Sequence, residues 1–72
     1  MKQHINGITT ECRSIAIMFM NEQTQEYSAA GYPLTVIDTG ISTYIDRGEQ
    51  GVVRIENRNT IGIIMKGAKV LP

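Results

Sequence analysis

One histidine and one cysteine limit the chemistry open to this 72-residue chain. A catalytic thiol needs a neighbouring base or positive field to lower its pKa, and a serine triad needs a histidine held against both partners. His4 stands in a polar N-terminal stretch with nothing to position it, so it reads as a surface residue; Cys12 reads as a small buried hydrophobe. One thiol closes no internal disulfide, and one thiol with one imidazole falls short of a four-ligand zinc site. Glycine-rich phosphate-cradling motifs are absent from the sequence. These counts predict a non-enzymatic chain with no catalytic residue, no metal and no cofactor.

Binding is the chemistry that remains. Tyr32 and Tyr44 carry aromatic surface of the kind that floors a binding groove, although Tyr44 can equally close a core beneath the segment ISTYI. Arg47, Arg54, Arg58 and Lys66 form a candidate phosphate-binding stripe, which keeps a nucleic-acid-binding regulator, of RNA or DNA, as the alternative function. Against that stand Asp46, Glu49 and Glu56 among the same residues, which favour solvated ion pairs. Seven Lys and Arg balance seven Asp and Glu, so no global field draws the chain to nucleic acid or anionic lipid.

The elements that must position these residues follow from size and pattern. A chain this short forms one domain and withdraws only ~60% of its unfolded surface from water. Eleven Ile and four Val against two Leu lean towards sheet. Residues 11–30 nevertheless carry helix signals: Thr9 or Thr10 as a cap, Glu11 in a first turn, and Gly31 with Pro33 as a stop. Cys12, Ile15, Ala16, Phe19, Tyr27 and Ala30 fall roughly on one helical face. A rival reading has Ile15, Ile17 and Phe19 alternating with Ala16, Met18 and Met20 in a strand buried on both faces, with NEQTQ as the turn. The content of Ala, Met, Glu and Gln favours the helix.

From Pro33 onward five short extended segments are expected: PLTVIDTG, ISTYI, GVVRIE, IGIIMK and KVLP, with DRGEQG as a turn. Side chains opposite one another across paired strands share a face. If GVVRIE and IGIIMK form a hairpin, a loop of Asn57, Arg58 and Asn59 pairs Ile55 with Ile61 and Val53 with Ile63, and puts Asn59 in the left-handed conformation. The other face then shows Val52 facing Ile64, with Arg54 and Lys66 on the same side.

The stretch DRGEQGVVRIENRNTIGIIMKG resembles the SH3-like barrels, in particular the KOW-type strand pair of ribosomal proteins and transcription factors. Gly48, Gly51, Val52, Val53, Ile55, Ile61 and Ile63 match that pattern in kind and order, over about 40 residues at most. The resemblance implies a small curved barrel that binds RNA or protein through loops at one end and is not an enzyme. The acidic neighbours Asp46, Glu49 and Glu56 depart from the nucleic-acid-binding members.

The expected fold is α+β: a helix over about 11–30 packed on a small SH3-like antiparallel β-barrel over about 33–72, with an all-β small barrel as the alternative. The longest apolar run, IAIMFM, is far short of the roughly 20 residues that span a bilayer, so no membrane association is expected. On a helix that run would surround the whole circumference and leave apolar residues for another surface. Met18, Met20, Val52 and Ile64 are the candidate partner or dimer interface. The expected function is a cytoplasmic, self-associating protein-interaction or regulatory adaptor with a protein partner, in keeping with a small accessory protein of a phage, plasmid or bacterium.

Overall fold

At Arg13 the chain leaves one β-sheet and enters another. The computed structural model describes residues 7–71, and in it β1 (Ile8–Cys12) and β2 (Ser14–Phe19) are separated by this residue alone. β3 (Thr24–Ser28), β4 (Leu34–Asp38), β5 (Ser42–Asp46), β6 (Val52–Glu56), β7 (Thr60–Lys66) and β8 (Lys69–Val70) complete the elements, with short 3₁₀ turns at Gly48–Gln50 and Asn57–Asn59. One sheet has the order β6-β5-β4-β1-β8 and the other β3-β2-β7. All neighbouring strands are antiparallel.

The core lies where the two sheets meet. Ile15 and Ile17 come from β2, and Cys12, Leu34, Val36, Ile45 and Ile55 from the larger sheet; all are buried. Phe19, Tyr27, Ala29, Val53, Ile63 and Met65 pack around them. Thr10 and Thr43 are the polar residues that point inward with this group, both buried.

The helix expected over 11–30 does not form. The same residues are the end of β1, β2, a turn and β3. The turn is the NEQTQ stretch, closed by Phe19 N–H donating to Gln23 O at 2.8 Å and Gln23 N–H donating to Asn21 Oδ1 at 3.1 Å. Thr9 and Thr10 lie inside β1 rather than capping anything. Helix propensities separate ordinary residues by at most ~0.7 kcal/mol each, whereas full burial of an Ile contributes roughly 1.5–3 kcal/mol. Ile15 and Ile17, 1% and 0% exposed, therefore decide for the strand. The helical spacing has its own cause. Cys12 and Ile15 both face the interior, although an unbroken strand would send them to opposite faces, because the change of sheet at Arg13 shifts the alternation by one. Only one face of β2 is buried, since Met18 on the other face is exposed.

The five extended segments after Pro33 are all strands, but the sheets do not close into a barrel. Nor do β6 and β7 make the expected hairpin. β6 pairs with β5, aligning Ile45 with Val53 and Thr43 with Ile55, and β7 pairs with β2, aligning Ile17 with Ile63 and Ile15 with Met65. Asn57–Asn59 carries the chain from one sheet to the other, and Asn59 has no positive φ. The expected register puts Val53, Ile55, Ile61 and Ile63 on one face; Val53, Ile55 and Ile63 do pack on the core, but they meet across the interior instead of along a ladder, and Ile61 does not join them. Ile61 is an extra residue at a bulge opposite Met18 and Phe19, and is 60% exposed.

The sheet change at Arg13 is held on both sides by backbone. Arg13 N–H donates to Lys66 O at 2.9 Å, and Arg13 O accepts from Ala29 N–H at 2.8 Å. Gly67, at φ 65°, follows β7 at the same level, and a Cβ there would stand 2.8 Å from Arg13 Nε. Gly67→Ala is expected to lose about 1–2 kcal/mol for the left-handed backbone alone, measured by urea unfolding. Ile17→Ala should lose about 2–5 kcal/mol, and Met18→Ala, on the outer face of the same strand, less than about 1 kcal/mol. Equal losses at 17 and 18 would contradict the assigned faces.

Candidate functional site

Two loops, residues 29–33 and 47–51, meet beside the Arg13 corner and bring together residues distant in sequence. Tyr27, near the end of β3, lies opposite Ile15 and packs on the core. The Arg47 guanidinium sits 5.5 Å from the Tyr27 ring centroid, a cation–π contact. Arg47 is held from below: its N–H donates to Gly51 O at 3.0 Å and its Nη2 to Gln50 O at 2.8 Å, while its buried Nε makes no hydrogen bond. These bonds follow from the turn. Gly48 takes φ 64° and Gly51 φ 92°, and Asp46 Oδ1 accepts the Gly48 N–H at 2.9 Å.

Tyr32, half exposed, lies over this turn, with Glu49 N–H donating to its hydroxyl oxygen at 3.3 Å. Gly48 is required twice: by its positive φ, and because a Cβ would run into the Tyr32 ring and hydroxyl. Beside Tyr32 is an open cavity of about 360 Å³, lined by Arg13, Ala29, Gly31, Tyr32 and Pro33. Among the described residues the one ion pair is Arg54 with Glu56, so neither Arg13 nor Arg47 is neutralised by a carboxylate within 4 Å. The corner thus combines aromatic and proline surface with the Arg13 side chain at the cavity, while the Arg47 guanidinium behind it is stacked on Tyr27 and bonded to Gln50 O.

The other sequence candidates lie elsewhere. Tyr44 and Arg54 are register partners on the outer face of the five-stranded sheet, where Tyr44 also neighbours Ile37. Tyr44 therefore does not close the core. Arg54 Nη2 pairs with Glu56 Oε1 at 2.7 Å, an exposed pair of the kind that contributes little. Arg58 is exposed in the turn between β6 and β7, and Lys66 ends β7 in the smaller sheet. The basic stripe is consequently not assembled, because Arg54 and Lys66 belong to different sheets. Met18 and Ile64 share the outer face of the smaller sheet, Met20 is exposed in the turn after β2, and Val52 is exposed at the start of β6. His4 lies outside the described residues.

Arg13 and Tyr27 were missed as site residues. Their signal was present in the loss of strand parity between Cys12 and Ile15, which marks a corner, but it mimicked a helical face. A polar chain was missed too: Thr43 Oγ1 donates to Asn57 Oδ1 at 2.6 Å, and Asn57 Nδ2 donates to Asp38 Oδ1 at 3.0 Å. It ties the β4–β5 turn to the crossing between sheets, a structural duty. Among the described residues no group of three His, Cys, Asp or Glu side chains is placed to hold a metal ion.

Burial raises the Cys12 pKa above the ordinary thiol value, so its thiolate is disfavoured. No known protein-family model, curated protein or solved structure matches the chain.

Native Cys12 should resist alkylation by iodoacetamide at mildly alkaline pH and react at once after denaturation in urea. Because the folded-state pKa is raised, the stability from the neutral buried thiol is fully present below the unfolded value of about 8.5. It is lost as pH rises through the folded value. Urea midpoints measured across that window should fall with pH for the native chain and less steeply for Cys12→Ala. Rapid alkylation of the folded protein would contradict this environment.

Proposed function

We propose that this chain is a non-enzymatic protein-interaction module whose corner surface takes an extended, acidic polypeptide segment. Tyr32 and Pro33 supply the apolar floor, and Arg13 and Arg47 meet carboxylates or main-chain carbonyls of the bound segment. The observation that carries this reading is the placement of Tyr32 by Gly48 and Glu49 next to guanidinium groups that pair with no carboxylate among the described residues. A fixed aromatic ring loses little side-chain entropy on binding, and Tyr and Arg dominate interface energetics.

The dispersal of Arg47, Arg54, Arg58 and Lys66 over separate elements favours polypeptide over nucleic acid, since phosphate recognition draws on clustered positive charge. No helix among the described residues is long and apolar enough to cross a membrane. A single free, buried thiol suits a reducing cytoplasm.

The test is selection of binders from a displayed random-peptide library, followed by titration of the best peptide against variants. Tyr32→Ala and Arg13→Ala should each weaken binding about tenfold or more, equivalent to roughly 1.4 kcal/mol. Tyr44→Ala, on the outer sheet face, should leave it unchanged. Selected peptides should be enriched in Asp and Glu. Enrichment of no peptide, or tight oligonucleotide binding that falls steeply with salt, would overturn the reading.

A further inference from the structure

Among the described residues the two sheets leave four edges, β6 and β8 in the larger and β3 and β7 in the smaller. An edge strand presents unpaired N–H and C=O groups to any strand that can align with them, and proteins guard such edges with charge or shortness. β8 is two residues long; β3, TQEYS, is polar and carries Glu26; β6, VVRIE, carries the Arg54–Glu56 pair. β7, TIGIIMK, is the longest strand at seven residues and bears no charge before Lys66. Its outer face exposes Ile64 at 62%.

Gly62 has no explanation within one copy. Glycine inside a strand costs stability and often marks close approach of a second backbone or ligand. Here φ is not positive, and a Cβ would meet nothing within 4 Å. Gly62 is aligned with Met18, and Ile64 with Ala16, so the missing side chain opens a groove of about 260 Å³ on the outer face, lined by Ala16, Met18, Thr24, Glu26, Gly62 and Ile64.

We propose that β7 is a homodimerisation edge, on which a second copy of this chain pairs antiparallel about a two-fold axis at Ile63. The occupant is another β7 because the strand is complementary to itself. With the axis at Ile63 the regular segment Gly62–Ile64 pairs with its own copy. Ile64 of each copy then stands opposite Gly62 of the other, and fills the space that glycine leaves. Thr60 stands opposite Lys66, so no like charges face one another. The bulge at Ile61, a device that discourages edge pairing, lies off-centre and leaves Gly62–Ile64 straight. Each copy contributes its three strands to one continuous sheet. The symmetry is the closed, isologous kind that most homodimers use. An edge of seven residues is smaller than the ~800 Å² per partner of a standard interface, so the dimer should dissociate in the micromolar range.

The surface is distinct from the Arg13–Tyr32 corner, and the two proposals stand or fall separately. The experiment is sedimentation equilibrium of the full chain from low micromolar to submillimolar concentration, with circular dichroism confirming that each variant is folded. The native chain should pass from monomer to dimer. Ile64→Lys, a change at an exposed position, should remain monomeric throughout, and Val52→Lys, at the edge of the other sheet, should dimerise like the native chain. As a second readout, amide exchange at Gly62–Ile64 should slow as concentration rises. A native chain that is monomeric at the highest concentration, an unaffected Ile64→Lys dimer, or a dimer lost in Val52→Lys instead would each overturn the proposal.

Discussion

The backbone of Arg13 joins two sheets into one molecule. Its N–H is taken by Lys66 and its carbonyl by Ala29, so the ladders on both sides of the central strand persist while the chain changes sheet. These two bonds let β2 keep its pairing with both neighbours up to the residue at which the chain changes sheet. The one-residue shift in alternation lets Cys12 and Ile15 face the same interior, and the core that follows packs Ile15 and Ile17 against Leu34, Val36, Ile45 and Ile55. A short chain has few such residues, and their convergence from two sheets is what lets so small a core close.

That corner also explains where sequence reasoning succeeded and where it failed. Local signals were legible after Pro33. Alternating β-branched runs marked β4 to β8, and Asp46, Gly48 and Gly51 marked the turn before β6. Parity was legible for Val53, Ile55 and Ile63, but not at Ile61, where the bulge against β2 breaks the alternation. The identity of a strand's partner is not legible. A hairpin between β6 and β7 closes the shorter loop, but loop-closure entropy grows only slowly with length. Pairing β6 with β5 and β7 with β2 instead places Ile55 and Ile63 on facing sheets. In the first half the same corner produced spacings of three that imitate a helix, and Ala, Met, Glu and Gln reinforced the imitation.

The candidate site inherits this division. Tyr32 and Arg47 come together because both lie in loops at the corner end, a fact of topology that their sequence spacing does not contain. Arg54 and Lys66 were grouped only through the hairpin register and separated with it. Arg13 carries no signal of its own in the sequence, and it is its backbone that forms the turning point. Within the stretch that resembles the SH3-like barrels, β6 and β7 lie in different sheets. What the arrangement retains is two arginines with no carboxylate partner among the described residues, one at the cavity and one stacked on Tyr27, near a ring seated on a glycine turn.

The most direct measurement is the set of nuclear Overhauser contacts between strand backbones in the folded protein. The account predicts contacts joining Ile17 to Ile63, Ile15 to Met65 and Ile45 to Val53. Contacts joining Ile55 directly to Ile61, or a continuous helical pattern over 11–30, would contradict it.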